Sequence, residues 1–219
     1  MRRIFVLLGL AAVLALAVGE PVRSADDKAT FFNGKDTEGW EGLKEYWSVK
    51  DGAIVGSSGT EGLKFNTFLC SKKKYKDFEL KFQVQLKDGK GNSGVQIRSQ
   101  IVDPKNYAVG GPQCDIGGGF WGSLYGERFS KEGKIGGGHM MKAAAGDVLK
   151  KANLKPNEFN DYFIKCVGKH VTIKINGETT VDDDFPILPE EGIIAWQLHA
   201  GGPMEVTFKN IEFKELDKK

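Results

Sequence analysis

Phe78-Glu79-Leu80-Lys81-Phe82-Gln83-Val84-Gln85-Leu86 alternates apolar and polar side chains without a break. Successive side chains of a β-strand point to opposite faces, so this pattern predicts a strand with one face in a core and the other in solvent. Further β-rich runs occur at Ser93–Ile101, Asp161–Val167, His170–Ile175, Ile193–Leu198 and Met204–Phe213. The stretch is therefore one of many strands.

Turn signals and the scarcity of helical periodicity indicate the fold class. Asp51-Gly52 and Asn176-Gly177 lie between β-rich runs, and such dipeptides favour tight hairpins. Only Met140–Ala152 has a helical pattern, and Gly146 interrupts it. Many short strands with almost no helix predict an all-β protein, built as a sandwich or jelly roll of two antiparallel sheets.

The charge balance argues against polyanionic partners. The chain has 219 residues, with 31 basic and 29 acidic side chains. Residues 1–24 hold three arginines and one glutamate, so the remaining residues carry 28 charges of each sign. A neutral domain has no long-range attraction for phosphate backbones or anionic lipid, so we expect no nucleic-acid partner. Residues 25–219 are long enough for one well-packed domain and short for two.

The N-terminal residues have the pattern of a signal peptide. Met1-Arg2-Arg3 is a short basic segment, and Ile4–Val18 is an apolar run broken only by Gly9. Fifteen residues are fewer than the roughly 20 that a membrane span needs. We predict a signal peptide over residues 1–24, an exported protein (periplasmic or extracellular) and no membrane attachment after its removal. An uncleaved N-terminal anchor is the alternative.

Three cysteines, Cys70, Cys114 and Cys166, are widely spaced and odd in number. They cannot all pair, and no Cys-x-x-Cys or Cys/His cluster indicates a zinc site. Each lies in a strand-like stretch, so we expect three small buried hydrophobic side chains.

Three predicted strands carry polar side chains on one face. These are Asn92, Gln96 and Arg98 in the first segment, Gln113 and Asp115 in the second, and Gln197 and His199 in the third. Solvated faces usually carry Lys and Glu, as at Glu79 and Lys81, whereas these segments hold groups with fixed hydrogen-bond geometry. Such groups suit a partly enclosed site that recognises hydroxyls, although an ordinary solvent-facing surface is the alternative.

An aromatic and glycine-rich stretch, Gly119–Arg128, follows the second of these strands. Trp121 and Tyr125 can provide an apolar platform for a pyranose ring, or can pack on the sheet as loop anchors. Gly117, Gly119 and Gly122 match the dinucleotide-binding spacing, but no helix follows them, so a nucleotide site is not expected.

The chain resembles a large bacterial family known as DUF1080, beginning at Phe31-Phe32-Asn33-Gly34-Lys35-Asp36 and Gly39-Trp40. Further matches in family order are Trp47 with Asp51-Gly52, Asp77-Phe78-Glu79-Leu80, Asn92–Arg98, Gly122-Ser123-Leu124-Tyr125, Asn157–Asn160, Asn176-Gly177, Trp196–His199 and Phe208–Ile211. The resemblance spans roughly residues 30–214. It implies a concanavalin A-like jelly roll and cleavage of 3-keto-glycosides, as a 3-keto-disaccharide hydrolase or as a 3-keto-glucoside 1,2-lyase and 3-keto-2-hydroxyglucal hydratase.

The implied chemistry needs a base for the C2 proton, an acid for the departing oxygen and a group that stabilises the enolate. We expect His199 or Asp115 as the base and Glu127 or Tyr125 as the acid. Where many family members have a glutamate, this chain has Gln113. Arg98, with Gln96 or Gln113, would hold the C3 oxygen, and the further substrate-binding candidates are Asn92, Trp121 and Gln197. A divalent metal could assist, but the sequence does not require one.

Two other functions fit the same residues. A non-catalytic, lectin-like carbohydrate-binding module would use this face without a tuned acid and base. A classical glycosidase would need paired carboxylates, but no Glu-x-Asp-x-x-Glu strand signature occurs. In every case the expected partner is a small carbohydrate.

Overall fold

Strands make up most of residues 31–216, the part of the chain that the computed structural model describes. The predicted signal peptide, residues 1–24, lies outside the described residues. The strands are β1 (Trp40–Glu41), β2 (Trp47–Lys50), β3 (Ala53–Ser57), β4 (Thr67–Tyr75), β5 (Phe78–Leu86), β6 (Asn92–Asp103), β7 (Ala108–Gly117), β8 (Leu124–Glu127), β9 (His139–Lys142), β10 (Asn160–Val167), β11 (His170–Ile175), β12 (Glu178–Asp184), β13 (Gly192–Leu198) and β14 (Glu205–Glu215). The helices are α1 (Gly146–Lys151) and a 3-10 turn (Lys87–Gly89).

The strands form two seven-stranded sheets, and their neighbours pair antiparallel. The front sheet has the order β1-β4-β13-β6-β7-β8-β9, and the back sheet has the order β12-β11-β10-β5-β14-β3-β2. This confirms the predicted all-β jelly-roll sandwich. None of the described helices is long and apolar enough to cross a membrane.

The core lies between the inner faces of the two sheets. The five apolar residues of Phe78–Leu86 are at most 2% exposed, as their alternation predicts. Phe82 meets Trp196 of the front sheet edge to face, with ring centroids 5.2 Å apart. Burying a side chain of this size contributes about 1.5–3 kcal/mol. The inner face of β5 therefore joins the two layers.

A second, smaller apolar cluster covers part of the outer face of the front sheet. Its buried members are Phe68, Cys70, Val109, Ile193 and Ala195. Strand register places Phe68 beside Gln197 and Ala195 beside Gln96. Polar side chains in the middle of this face are consequently enclosed, although they lie on the side away from the main core.

The helical prediction for Met140–Ala152 is wrong over its first half. His139–Lys142 forms β9, in which Met140 pairs with Tyr125 of β8. The helix α1 covers only Gly146–Lys151. Pairing with the exposed edge of β8 decides the structure of the methionine segment, and a glycine at the first position of the helix gives little support to a longer one.

Two further predictions are confirmed. Asn176 and Gly177, with φ values of 47° and 86°, turn the chain between β11 and β12. This is the left-handed backbone that a tight hairpin requires. Cys70, Cys114 and Cys166 are buried free thiols.

Candidate active site

A hollow of about 230 Å³ opens on the outer face of the front sheet. Its walls are Asn92, Gln113, Asp115, Phe120, Tyr125, Glu127, Met140 and His199. Six of these residues are among the site residues expected from the sequence. A larger hollow of about 530 Å³ lies on the back sheet, but its charged side chains include the exposed, loosely paired Lys81 and Glu212. The smaller hollow therefore has the chemically more distinctive walls.

Strand register brings four of these side chains together. Gln113 of β7 pairs with Tyr125 of β8. Asp115 and Glu127 each lie two residues further along their strands, so all four side chains point to the same face. His199 directly follows the end of β13 and reaches the hollow from the other side. Residues far apart in the sequence therefore meet as the alternation predicted.

Gly94 makes room for the Gln113 side chain. It pairs with Asp115 across the β6–β7 ladder, and a Cβ atom at this position would lie 2.7 Å from Gln113 Cδ. Real Cβ contacts are longer, so only glycine allows Gln113 to fold over β6. The Gln113 amide thereby lies 2.8 Å from Asp115 Oδ1 and 3.4 Å from the Gln197 amide oxygen.

Asp115 is a buried carboxyl group held in a fixed position. Its backbone N–H donates to the Ser123 carbonyl oxygen at 2.9 Å, and the Tyr162 hydroxyl donates to its carbonyl oxygen at 3.0 Å. Burial is the main cause that raises the pKa of Asp115 to about 7; a hydrogen bond donated by the Gln113 amide would lower this pKa, and the negative charge of Glu127 raises it. A pKa near neutrality suits a group that exchanges protons during a reaction.

Tyr125 and Glu127 form the β8 side of the hollow. Burial and the nearby charges of Glu127 and Asp115 raise the pKa of Tyr125, so its phenol keeps the proton at neutral pH. Glu127 Oε1 accepts a hydrogen bond from Asn66 Nδ2 at 3.2 Å and lies 3.9 Å from Arg128 Nε. The phenol can donate a proton beside a carboxylate whose position is fixed.

His199 carries its proton on a defined ring nitrogen. Nδ1 lies 2.6 Å from the Ala200 carbonyl oxygen, which can only accept. In the neutral ring Nδ1 is therefore the donor, and Nε2 keeps a lone pair. Imidazole in this tautomer can accept a proton.

Asn66 was not among the site residues predicted from the sequence, and it forms hydrogen bonds with two parts of the site. Its Nδ2 donates to Glu127, and its Oδ1 accepts from the Ala200 N–H at 2.8 Å. These partners are 61 and 134 residues away in the sequence. No local pattern marks the residue, because both contacts depend on the tertiary fold.

Gln96 and Gln197 lie beneath the hollow and not in its wall. Both are fully buried, and the Gln96 amide lies 3.0 Å from that of Gln113. The prediction that they contact substrate directly is not supported by this placement. They instead support Gln113 from below.

Arg98 does not face the hollow, so the prediction for it is wrong. The register between β6 and β7 shifts after Gln96, and Arg98 has a φ of 44°. This bulge breaks the alternation on which the prediction rested. The Arg98 side chain is fully buried and pairs with Asp77 at 2.7 Å. Its remaining hydrogen bonds go to the carbonyl oxygens of Lys76, Gly168 and Pro189.

Trp121 also lies elsewhere than predicted. It is 3% exposed and belongs to the main core, whereas its neighbour Phe120 is 48% exposed at the rim of the hollow. Adjacent residues of a loop point in different directions, and the sequence offers no period there to choose between them. Phe120 is therefore the accessible aromatic platform. Gly117 and Gly119, with positive φ, shape this loop, and the strand β8 follows it, as expected for a loop that does not bind a dinucleotide.

Within residues 31–216, no group of three or more His, Cys, Asp or Glu side chains is close enough to hold a metal ion. The residues of the hollow supply one buried carboxyl group, a second carboxylate, a phenol, an imidazole and two amides. These groups can move protons and bind hydroxyls.

Comparisons with known proteins find a matching family model and structures with a similar fold. A family model described as a 3-keto-alpha-glucoside-1,2-lyase-like domain matches residues 27–214. A putative glycosyl hydrolase from Parabacteroides distasonis is similar in structure, with 25% sequence identity over 85% of this chain and 93% of its own, and a TM-score of 0.61. No curated protein matches the chain.

Two more distant structures share the fold alone. The carbohydrate-binding module CBM66 from Bacillus subtilis is 16% identical over 81% of this chain and 96% of its own, with a TM-score of 0.58. The non-specific endo-β-1,3(4)-glucanase SCLam of family GH16 is 11% identical over 85% of this chain and 87% of its own, with a TM-score of 0.52.

Proposed function

The chain belongs to the 3-keto-alpha-glucoside-1,2-lyase-like family, and from this premise we propose that its front-sheet hollow cleaves 3-keto-glycosides by elimination. One observation carries the proposal: a buried carboxyl group, Asp115, shares the hollow with an imidazole, a phenol and a second carboxylate. A site that only bound sugar would not need a carboxyl group whose pKa burial raises to about 7.

The reaction follows from the carbonyl group at C3. This carbonyl makes the C2 proton removable by a positioned base, and the resulting enolate expels the glycosidic oxygen from C1 once that oxygen is protonated. The product is a 3-keto-2-hydroxyglucal. Addition of water across its double bond gives 3-keto-glucose, so the two steps together amount to hydrolysis.

The geometry supports one assignment of roles. His199 Nε2 has the free lone pair and removes the C2 proton. Tyr125 carries a proton at neutral pH, because burial and the charges of Glu127 and Asp115 raise its pKa, and we assign it to the protonation of the departing oxygen. Asp115 and Gln113 face the C3 oxygen, where negative charge develops. The charge of Glu127 helps both Tyr125 and Asp115 to retain protons.

Two groups suit recognition of the sugar ring. Phe120 is exposed at the rim, where an aromatic face can pack on the C–H face of a pyranose. Asn92 Oδ1 is buried in the wall and has no hydrogen-bond partner among the described residues. A buried acceptor without a partner costs about 1–3 kcal/mol, and a sugar hydroxyl would remove that cost.

Carbohydrate binding without catalysis is the second candidate. It is favoured by the exposed Phe120 and the unpaired Asn92 oxygen, since both are needed for binding alone. The two functions differ in what Asp115 does. A binding module would lose affinity when Asp115 changes, whereas an enzyme would lose turnover.

The deciding experiment incubates the protein with a 3-keto-glucoside and, as a control, with the same glucoside unoxidised. We expect 3-keto-2-hydroxyglucal and 3-keto-glucose only from the oxidised substrate. Asp115→Asn should lower turnover by about 10²–10³-fold, the usual loss when a group that stabilises developing charge is removed. His199→Gln should lower it by about 10²–10⁴-fold, the usual contribution of a positioned base. Binding of the sugar without turnover across a panel of 3-keto-glycosides would leave only the binding module.

We also propose that the protein is exported, with residues 1–24 removed. The basic start and the apolar run at Ile4–Val18 support this. N-terminal sequencing of protein recovered from outside the cytoplasm should begin after residue 24. An intact Met1 in that fraction would contradict the proposal.

A further inference from the structure

Three buried glutamines form a chain of side-chain amides beneath the hollow. The Gln113 amide lies 2.8 Å from Asp115 Oδ1 at one end and 3.0 Å from the Gln96 amide at the other. The Gln197 amide lies 3.4 Å from Gln113. An amide has one donor end and one acceptor end, so the orientation of one member decides that of the next.

The far end of the chain determines the orientation of Gln96. One end of its amide lies 3.2 Å from the Gly111 carbonyl oxygen, 3.1 Å from the Pro112 carbonyl oxygen and 2.6 Å from Ser99 Oγ. Backbone carbonyls only accept hydrogen bonds, so this end is satisfied when it is the nitrogen. In the opposite orientation two carbonyl oxygens would face a third oxygen.

This orientation propagates to Asp115. When the Gln96 nitrogen donates to the two carbonyls, the Gln96 oxygen faces Gln113. The Gln113 atom on that side must therefore be its nitrogen, which donates to the Gln96 oxygen. The other atom of the Gln113 amide, its oxygen, then faces Asp115 Oδ1 at 2.8 Å. Two acceptors cannot bond, so a proton must lie between them, and Asp115 is the only one of the two that can carry it.

Gln197 can follow this orientation. With its amide turned, its nitrogen faces the Gln113 oxygen at 3.4 Å, and its oxygen takes the buried position that has no partner among the described residues. The Gln197 amide has one unpaired atom in either arrangement, so Gln96 decides the polarity.

We propose that Asp115 is a neutral carboxylic acid when the hollow is empty, that it donates its proton to the Gln113 side-chain oxygen, and that Gln96 is the positioning residue that sets this polarity. Ionising Asp115 would require the side-chain amides of Gln96, Gln113 and Gln197 each to exchange the positions of their oxygen and nitrogen atoms. In the reaction the C3 oxygen would replace the Gln113 oxygen as the acceptor of this single proton. That catalytic meaning rests on the proposed function, whereas the protonation state does not.

The charged and titratable groups around Asp115 agree with this state. Glu127, from β8, adds negative charge nearby, and Tyr125 on the same strand is a neutral phenol. Tyr162, from the back sheet, is a neutral donor to the Asp115 carbonyl oxygen. His199 is the remaining titratable wall residue, and it would oppose the proposal only when it carries a positive charge.

The test is a ¹³C NMR titration of the Asp115 carboxyl group in the full chain without ligand, with the signal assigned by its loss in Asp115→Asn. We expect a midpoint near neutral pH. Gln96→Leu frees Gln113 to turn its nitrogen to the carboxylate, so the midpoint should fall by about one pH unit or more. Gln96→Met is the substitute if the leucine variant does not fold.

Ser99→Ala is the matched control, because it removes a neighbour of Gln96 that can donate as well as accept. The carbonyls of Gly111 and Pro112 remain, so the midpoint should not change. A wild-type midpoint close to the ordinary aspartate value of about 3.9 would overturn the proposal, as would an unchanged midpoint in the Gln96 variants. No substrate is present, so this result is separate from the success or failure of the proposed reaction.

Discussion

The outer faces of the two sheets are both polar, but they differ in kind. On the back sheet, Lys165 and Glu79 pair at 2.9 Å, with 43% and 27% of their side chains exposed. On the front sheet, the amides of Gln96, Gln113 and Gln197 are at most 3% exposed. Exposed ion pairs contribute about 0–1 kcal/mol and tolerate substitution, whereas enclosed polar groups are costly unless each is paired. Enclosure, more than polarity, therefore marks the functional face.

The largest difference in the free energy of unfolding is expected between a variant that breaks a buried ion pair and one that breaks an exposed ion pair. Arg98→Met leaves Asp77 and three backbone carbonyls without their partner, so it should lower the free energy of unfolding by about 3–5 kcal/mol. Lys165→Met on the back sheet should change it by about 0–1 kcal/mol. Urea denaturation of both variants measures the two values. Equal losses would show that enclosure does not decide how much stability is lost when an ion pair is broken.

The wrong prediction for Arg98 shows which features of a structure can be inferred from sequence alone. The alternation in Phe78–Leu86 predicted the buried face of β5 because a regular strand repeats every two residues. The same rule put Arg98 beside Gln96, but a bulge at this point changes the side on which the next residues lie. The bulge is stabilised by contacts of the Arg98 side chain with Asp77 and with the backbone at Gly168, 70 residues away. No local pattern contains that information.

The site itself was partly predictable for the same reason. Gln113 and Asp115 lie on a regular strand and could be placed on one face from their spacing. Phe120 lies in a loop, where no period distinguishes it from Trp121, and Asn66 acts through tertiary contacts alone. The alternation could thus place Gln113 and Asp115 in advance, but it could not choose between Phe120 and Trp121 or reveal Asn66.

A second prediction compares how stability depends on pH when a buried carboxyl group of the front sheet, or an exposed one of the back sheet, is replaced. The pKa of Asp115 is raised in the folded protein to about 7 from 3.8. The folded state therefore binds the Asp115 proton more tightly than the unfolded state does. The stability that this proton contributes is fully present below about pH 4 and is lost as the pH rises through 7. Asp115→Asn should remove this loss, so its stability relative to the wild type should be higher at pH 8 than at pH 5.

Asp161→Asn is the control for this measurement, because Asp161 is an exposed carboxylate on the back sheet. This variant makes the same change from carboxyl group to amide where the side chain is in water, so it measures the effect of the substitution without burial. Chemical denaturation at pH 5 and pH 8 gives the comparison. If Asp115→Asn shows no pH-dependent difference from the wild type, the buried carboxyl group does not have a raised pKa.

A third, smaller effect is expected at Gly94. The Cβ atom of Gly94→Ala would lie 2.7 Å from Gln113 Cδ, so the glutamine must move out of its amide chain. Overpacking of this kind costs about 1–3 kcal/mol, and turnover should fall with it. Gly146→Ala is the control, since a Cβ atom there meets nothing within 4 Å. A Gly94→Ala protein with wild-type stability and turnover would mean that Gln113 does not need its present position.

The smallest effect is expected at the rim of the hollow. Phe120 is 48% exposed and can contact one face of a bound sugar, so Phe120→Ala should remove about 0.5–1.5 kcal/mol of binding, a rise in KM of about two- to tenfold. The effect on kcat should be small, because the side chain takes no part in proton transfer. Phe159→Ala, an exposed aromatic outside the hollow, is the control and should leave KM unchanged. In this comparison Phe120 contributes to binding alone, whereas Asp115 contributes to the reaction. A fall in kcat without a change in KM in Phe120→Ala would instead place the aromatic side chain at the reacting atoms. The roles given to Phe120 at the rim and to Asp115 in the wall would then be wrong.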